Sequence, residues 1–163
     1  MSELPSEGDF EIVSLNVSTK TGTRKKPVDT IMLVEHTGIE GDAHAGLIEE
    51  RQVSFLAMEE IEKASSQLGK DGCALASGID RLLPGDFAEN ITTRGIPLHL
   101  LPLGTKIWIG DVILEVSKIG KECHASCEIR RLVGDCVMPR KGIFARVVKG
   151  GEVSGEDRGH YHF

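Results

Sequence analysis

The 163-residue chain is poor in aromatic residues, with five Phe, one Trp and one Tyr. That is too few for the stacked aromatic platforms on which single-stranded nucleic acids are bound, and it leaves the core to Val, Ile and Leu. No apolar run approaches the roughly 18 to 20 residues needed to cross a bilayer. The opening Met1-Ser2-Glu3-Leu4-Pro5 lacks the basic-then-apolar order of a signal peptide. A cytoplasmic protein without a membrane partner is expected. Basic residues are outnumbered, 19 Lys and Arg against 25 Asp and Glu for a net charge of −6, which excludes a broad nucleic-acid-binding surface. Also missing are Gly-x-Ser-x-Gly, the phosphate-binding P-loop and the dinucleotide motif Gly-x-Gly-x-x-Gly, as well as any internal repeat or low-complexity tract. Cysteines number four. Without an export signal they read as free thiols, metal ligands or reactive groups rather than as a disulfide framework.

What is present reads as one domain of ordinary size, 40% hydrophobic and 27% charged. Alternation predicts a strand over Phe10 to Val17 and another over Thr30 to Val34, separated by a polar loop containing Thr23-Arg24-Lys25-Lys26. Residues 38–46, Gly-Ile-Glu-Gly-Asp-Ala-His-Ala-Gly, carry turn chemistry and read as an ordered loop. A short strand is expected over Arg51 to Leu56. An amphipathic helix should follow over Ala57 to Leu68, with Ala57, Ile61, Ala64 and Leu68 on its apolar face. Leu83-Pro84-Gly85-Asp86 marks a turn before a strand at Ala88 to Thr92, and Gly95-Ile96-Pro97 interrupts the chain again.

The strongest β signal is Lys106 to Ile109 and Val112 to Ser117 around Gly110-Asp111, an order that suits a type II′ turn. Ala125 to Val133 reads as a short helix. Ile143 to Val148 with Glu152-Val153 reads as a last hairpin. Six or seven short strands around one or two helices, without regular strand-helix alternation, predict a β-rich α+β fold, mainly antiparallel and barrel-like. Its span is 10–153, with 1–9 and 154–163 as flexible tails in which His160 and His162 are solvent groups.

Chemistry concentrates after the predicted hairpin. Cys123, followed by His124 and Cys127, leaves the end of a strand, where a loop can present a thiol on a rigid base. Lys121 and His124 supply positive charge that favours the thiolate, and Cys127 can act as a resolving partner. The bland alternative is a pair of buried cysteines behaving as small hydrophobes. Cys123, His124, Cys127 and Cys136 also offer four zinc ligands, although the spacing lacks the paired short knuckles of structural zinc sites. Arg24, Lys25 and Lys26 are either a solvated run or an anion contact, and the second reading gains from Arg51 near the loop of Asp42 and His44. Asp42 and His44 read equally as metal donors or as turn bracing. Glu89 and Asn90 offer a further polar pair beside a turn.

In order along the chain, Gly38-Ile39-Glu40-Gly41-Asp42-Ala43-His44, Arg51-Gln52-Val53, Pro84-Gly85-Asp86-Phe87-Ala88-Glu89-Asn90-Ile91-Thr92 and Leu103-Gly104-Thr105-Lys106-Ile107-Trp108-Ile109-Gly110-Asp111 resemble the successive signatures of a MOSC domain. Gly142-Ile143-Phe144-Ala145-Arg146-Val147 is similar to the closing segment of small stand-alone members. The family is named for the C-terminal domain of molybdenum cofactor sulfurases. The resemblance implies a β-barrel-like fold with a few helices and a cysteine that carries sulfur or ligates molybdenum.

Cys123 matches that cysteine best, with Cys127 as its competitor; many members have Arg-x-Pro-Cys where this chain has Lys121-Glu122-Cys123. The implied ligand is a pterin-based molybdenum cofactor, its phosphate on Arg24, Lys25, Lys26 or Arg51 and its pterin edge near His44 and Asn90. Asp42, Glu89 and Lys121 complete the expected cofactor-binding set. Implied partners are a cysteine desulfurase or a molybdenum or tungsten enzyme. Pyridoxal phosphate, which larger relatives bind in a separate domain, is not expected here. The competing functional readings are a non-catalytic cofactor or oxyanion storage module and a zinc-stabilised interaction domain.

Overall fold

A computed structural model of the chain describes residues 4–20, 24–43, 45–46, 48–66, 82–120 and 141–163. The strands are β1 (Glu7–Val17), β2 (Lys26–Val28), β3 (Thr30–Val34), β4 (Gly38–Ile39), β5 (Val53–Ala57), β6 (Ile91–Arg94), β7 (Lys106–Ile109), β8 (Val112–Ile119), β9 (Ile143–Lys149), β10 (Gly151–Ser154) and β11 (Arg158–His162). Helix α1 (Met58–Ser66) follows β5 directly, and two 3-10 turns occupy Glu49–Arg51 and Leu98–Leu100. Among the described residues no helix is long and apolar enough to cross a membrane.

Seven strands close a ring in the order β11-β7-β8-β9-β5-β6-β1, with β1 pairing back onto β11, and β2 lies along the outside edge of β1. Closure leaves the wall without a free edge. Every pairing in the ring is antiparallel except β5 with β6. Those two strands run parallel, which requires a crossover, and α1 lies within that connection. Register shifts in β1 at Ile12/Ser14, in β9 opposite Ile113/Leu114 and in β8 at Val116/Lys118 supply the bends a closed barrel needs. A second sheet, β10-β3-β4, packs beside the barrel. The mainly antiparallel, β-rich α+β expectation therefore holds.

The core is the barrel interior, filled by Phe10, Leu15, Phe55, Ile91, Ile107, Leu114, Ile143 and Val147, all essentially inaccessible. All five residues of β5 are buried, the mark of a strand covered on both faces. The Gly110-Asp111 loop joins β7 to β8 with Ile109 opposite Val112. Only its first residue takes a positive φ, 59° at Gly110, as a type II′ turn requires.

Several expectations are corrected. Ile143–Lys149 and Gly151–Ser154 do not form a hairpin: β9 already has β8 and β5 on its two edges, so β10 leaves the barrel and pairs with β3. The expected tails are wall strands, because Glu7 to Glu11 pair with Arg158 to His162, and β11 pairs with β7. Their polar residues face outward while Phe10, Gly159 and Tyr161 are buried, so mixed composition there is the alternation of a barrel wall. His160 places Nδ1 2.7 Å from Asp9 Oδ1, an acidic neighbour 151 positions away in sequence. The strand expected over Ala88 to Thr92 begins at Ile91, since Ala88 belongs to a turn with φ 64°. The strand expected from Arg51 begins at Val53, after the 3-10 turn. The helix expected over Ala125 to Val133 lies outside the described residues.

A basic cleft on a buried polar belt

The loops after β1 and before β6 are tied together by a buried polar network. Asn16, near the end of β1, exchanges backbone and side-chain bonds with Asn90: its N–H donates to the Asn90 carbonyl at 2.7 Å, and Asn90 Nδ2 donates to its carbonyl at 3.2 Å. Asn90 Oδ1 accepts from the N–H and hydroxyl of Ser54 at 3.0 and 3.1 Å. Asn16 Nδ2 reaches the Glu89 carbonyl and Thr92 Oγ1 at 3.2 and 3.1 Å. Asn16, Glu89, Asn90 and Thr92 are all fully buried, so each polar group spends its bonding on the protein.

Glu89 is the exception within this belt. Its Oε2 accepts from Gly85 N–H at 3.0 Å and from Thr92 Oγ1 at 2.6 Å, whereas Oε1 is buried with no hydrogen-bond partner. Burial outweighs those bonds and pushes the carboxyl up from 4.5 to about 7. The Gly85 carbonyl in turn accepts the Lys25 N–H at 2.8 Å. Gly85 has φ +89°, and a Cβ there would run into the Lys25 carbonyl oxygen, so only glycine fits.

Lys25 and Asp42 form the second buried element. Their side chains are wholly inaccessible and meet at 2.7 Å from Nζ to Oδ1, because a charge taken from water needs a partner. Asp42 Oδ1 also accepts the Ser18 N–H at 3.1 Å. This pair ties the β1 exit, the strand entry at Lys26 and the Gly38–Gly46 loop into one unit.

On this base lies a cleft of two adjoining cavities, about 590 and 510 Å³, which share Lys20, Arg24, Lys26 and Pro27. The first is closed by Lys25, Leu83, Pro84 and Asp86, the second by Val17, Ser18, Thr19, Val28 and Gly41. Burial raises the Asp86 carboxyl, against its bond from the Leu83 N–H and the pull of Arg24. A guanidinium and two ammonium groups beside partly apolar walls give this open cleft the chemistry of an anion contact, Arg offering a two-pronged donor and Lys point charge.

Of the expected cofactor-binding residues, the structure brings Arg24, Lys25 and Lys26 to this cleft. Lys25 lines it, but its ammonium is engaged by Asp42, so both residues brace the site from below. Glu89 and Asn90 lie behind the wall. Arg51 sits elsewhere, on the 3-10 turn over the Phe144 ring at 5.8 Å, outside the residues lining either cavity. His44, Lys121, Cys123, His124 and Cys127 lie outside the described residues, as do Cys73 and Cys136. Among the described residues no three His, Cys, Asp or Glu side chains gather to hold a metal ion. Sequence reading missed Lys20, Leu83, Pro84 and Asp86 as cleft residues. Lys20 shares the polar loop with Arg24, a usable signal, whereas the 83–86 turn reaches the cleft only through tertiary pairing.

The family model for the MOSC domain matches residues 40–158. No curated protein matches the chain by sequence. Among solved structures, YuaD from Bacillus subtilis superposes with a TM-score of 0.75 at 21% identity, covering 96% of this chain and 97% of that one. YiiM from Escherichia coli gives 0.65 at 17%, covering 96% and 70%. YiiM from Geobacillus stearothermophilus gives 0.65 at 20%, covering 91% and 72%. At these identities the likeness is one of fold.

Proposed function

Because the chain belongs to the MOSC domain family, we propose that it serves molybdenum cofactor chemistry, receiving the phosphate of a pterin-type cofactor in the basic cleft and using Cys123 as its reactive thiol. The observation that carries this reading is the convergence of Lys20, Arg24 and Lys26 on one cleft with apolar walls. That donor set fits a phosphate ester. Arg24 and Lys26 hold its oxygens, Lys20 adds charge, and Pro27, Leu83 and Pro84 offer apolar surface to the ring system. When bound, the cofactor supplies a molybdenum centre whose oxygen or sulfur ligands can be exchanged.

Within the protein, Lys25, Asp42, Glu89 and Asn90 fix the walls, and His44, two positions after Asp42 in the sequence, is the proposed contact to the pterin edge. Cys123 carries sulfur as a persulfide or ligates the metal, with Lys121 and His124 favouring its thiolate. Cys127 is the competing thiol. A cysteine desulfurase is the sulfur donor and a molybdenum or tungsten enzyme the recipient.

The test is elemental analysis of anaerobically purified protein, with molybdenum, tungsten, zinc and cyanide-labile sulfur quantified in the native chain and in Cys123→Ser and Cys127→Ser. Labile sulfur lost only in Cys123→Ser supports the sulfur-carrier reading. Molybdenum retained in both variants without labile sulfur in any sample makes the domain a storage module. Stoichiometric zinc, lost together with the fold in either variant, overturns both in favour of a zinc-stabilised domain.

A further inference from the structure

Glu89 reaches the cleft only through backbone. Its Oε2 holds the Gly85 N–H at 3.0 Å, and the Gly85 carbonyl holds the Lys25 N–H at 2.8 Å. Two consecutive hydrogen bonds therefore link a buried carboxyl to the strand entry that carries Arg24 and Lys26. Pro84 and Asp86, which flank Gly85, are themselves cleft wall. This linkage has no slack, because Gly85 is packed against the Lys25 carbonyl at positive φ and Ala88 is also held at φ 64°. A change at the carboxyl is thus felt at the wall.

We propose that Glu89 is a positioning residue of this cleft, and that its carboxyl takes up one proton from solvent when an anion binds there. The proposal rests on the reading of the cleft as an anion site. Oε2 already accepts two donors, so the proton goes to Oε1, the buried oxygen with no partner. The surrounding elements bring few charges. Strand β1 presents Ser14 and Asn16, β5 presents Ser54 and β6 presents Thr92, all neutral. The turn contributes Asp86, and the Lys25 and Asp42 charges are engaged with each other.

An ionised Glu89 therefore sits behind the wall as a buried negative charge held by hydrogen bonds from neutral groups, with no cation paired to it among the described residues, and a bound anion adds a second one at the wall's outer face. Neutralising Glu89 removes that repulsion. Burial has already brought the carboxyl to about 7, so the coupling falls in the neutral pH range.

The experiment uses sulfate, whose own charge is constant between pH 5.5 and pH 9, titrated calorimetrically into the full chain. If binding favours the protonated form throughout, affinity falls by up to about tenfold between pH 6 and pH 8. Glu89→Gln should bind with an affinity independent of pH over that range, which a purely structural contribution of the side chain would not produce. As a check needing no variant, titrations of the native chain in two buffers of different ionisation heat should show proton uptake at pH 7.5 and none at pH 5.5. A pH-independent affinity, absence of proton uptake, or a Glu89→Gln variant that keeps the native pH dependence each overturns the proposal. Folded protein that binds no sulfate at any pH overturns the anion-site reading, and the proposal with it; binding without proton linkage overturns the proposal alone.

Discussion

Replacing Glu89 with Gln removes a buried ionisable group while keeping an oxygen that can accept from Gly85 and Thr92. In the native fold, burial lifts this carboxyl from 4.5 to about 7. Each pH unit of such a displacement is worth about 1.4 kcal/mol, so the whole displacement amounts to about 3 kcal/mol. The sign follows from proton counting. Below pH 4.5 both folded and unfolded chains carry the proton and the group has no effect on the pH slope. Between pH 4.5 and 7 the unfolded chain has lost its proton and the folded one has not, so stability falls as pH rises. Above 7 both are ionised and the full cost remains.

Urea denaturation at half-unit steps from pH 4 to pH 8.5 measures this directly. The difference in unfolding free energy between Glu89→Gln and the native chain should move by about 3 kcal/mol in favour of the variant across that window, and be flat on either side. Other carboxylates titrate equally in both proteins and cancel in the difference. Parallel stability profiles would refute the reasoning, because they would mean that Glu89 ionises in the fold as readily as in the unfolded chain.

Gly85→Ala should cost about 2 to 4 kcal/mol in the same assay, since the new methyl meets the Lys25 carbonyl at a positive φ; a loss under about 0.5 kcal/mol would show that the turn yields. Lys25→Met and Asp42→Asn should each destabilise by about 3 to 5 kcal/mol, and the double variant should recover part of the loss, because each single change takes the opposite charge away from a buried one; simple additivity would count against the pair. Arg24→Ala and Lys26→Ala should each weaken sulfate binding about three- to tenfold and flatten its salt dependence while moving stability by less than about 0.5 kcal/mol; unchanged binding in both would remove them from the site. Tyr161→Ala should cost about 3 to 5 kcal/mol, because the ring is buried in the closing strand and its hydroxyl donates to the Pro5 carbonyl at 3.1 Å; a negligible effect would restore the C-terminal segment to the status of a tail.

Local chemistry was enough for some of this protein. Alternation defined β3 and the β7–β8 hairpin to within two residues, and Gly110-Asp111 specified its turn, because side-chain period and positive φ are properties of a few adjacent residues. The ordered sequence of short motifs pointed to the family, whereas the basic residues at 24–26 read either as a solvated run or as an anion contact. Tertiary structure decided the rest. Whether residues 158–162 were a tail or a wall strand depended on β1 and β7, more than 140 and about 50 positions away, and no local pattern reports such a pairing. Lys25 read like its neighbours Arg24 and Lys26 until the fold placed Asp42 against it, turning an expected ligand contact into an internal brace. The turn at 83–86 became a cleft wall, and Glu89 a buried acid near neutrality, only through enclosure by β1, β5 and β6. Residue type determines what a group can do; burial, set by the whole chain at once, determines which of those things it does.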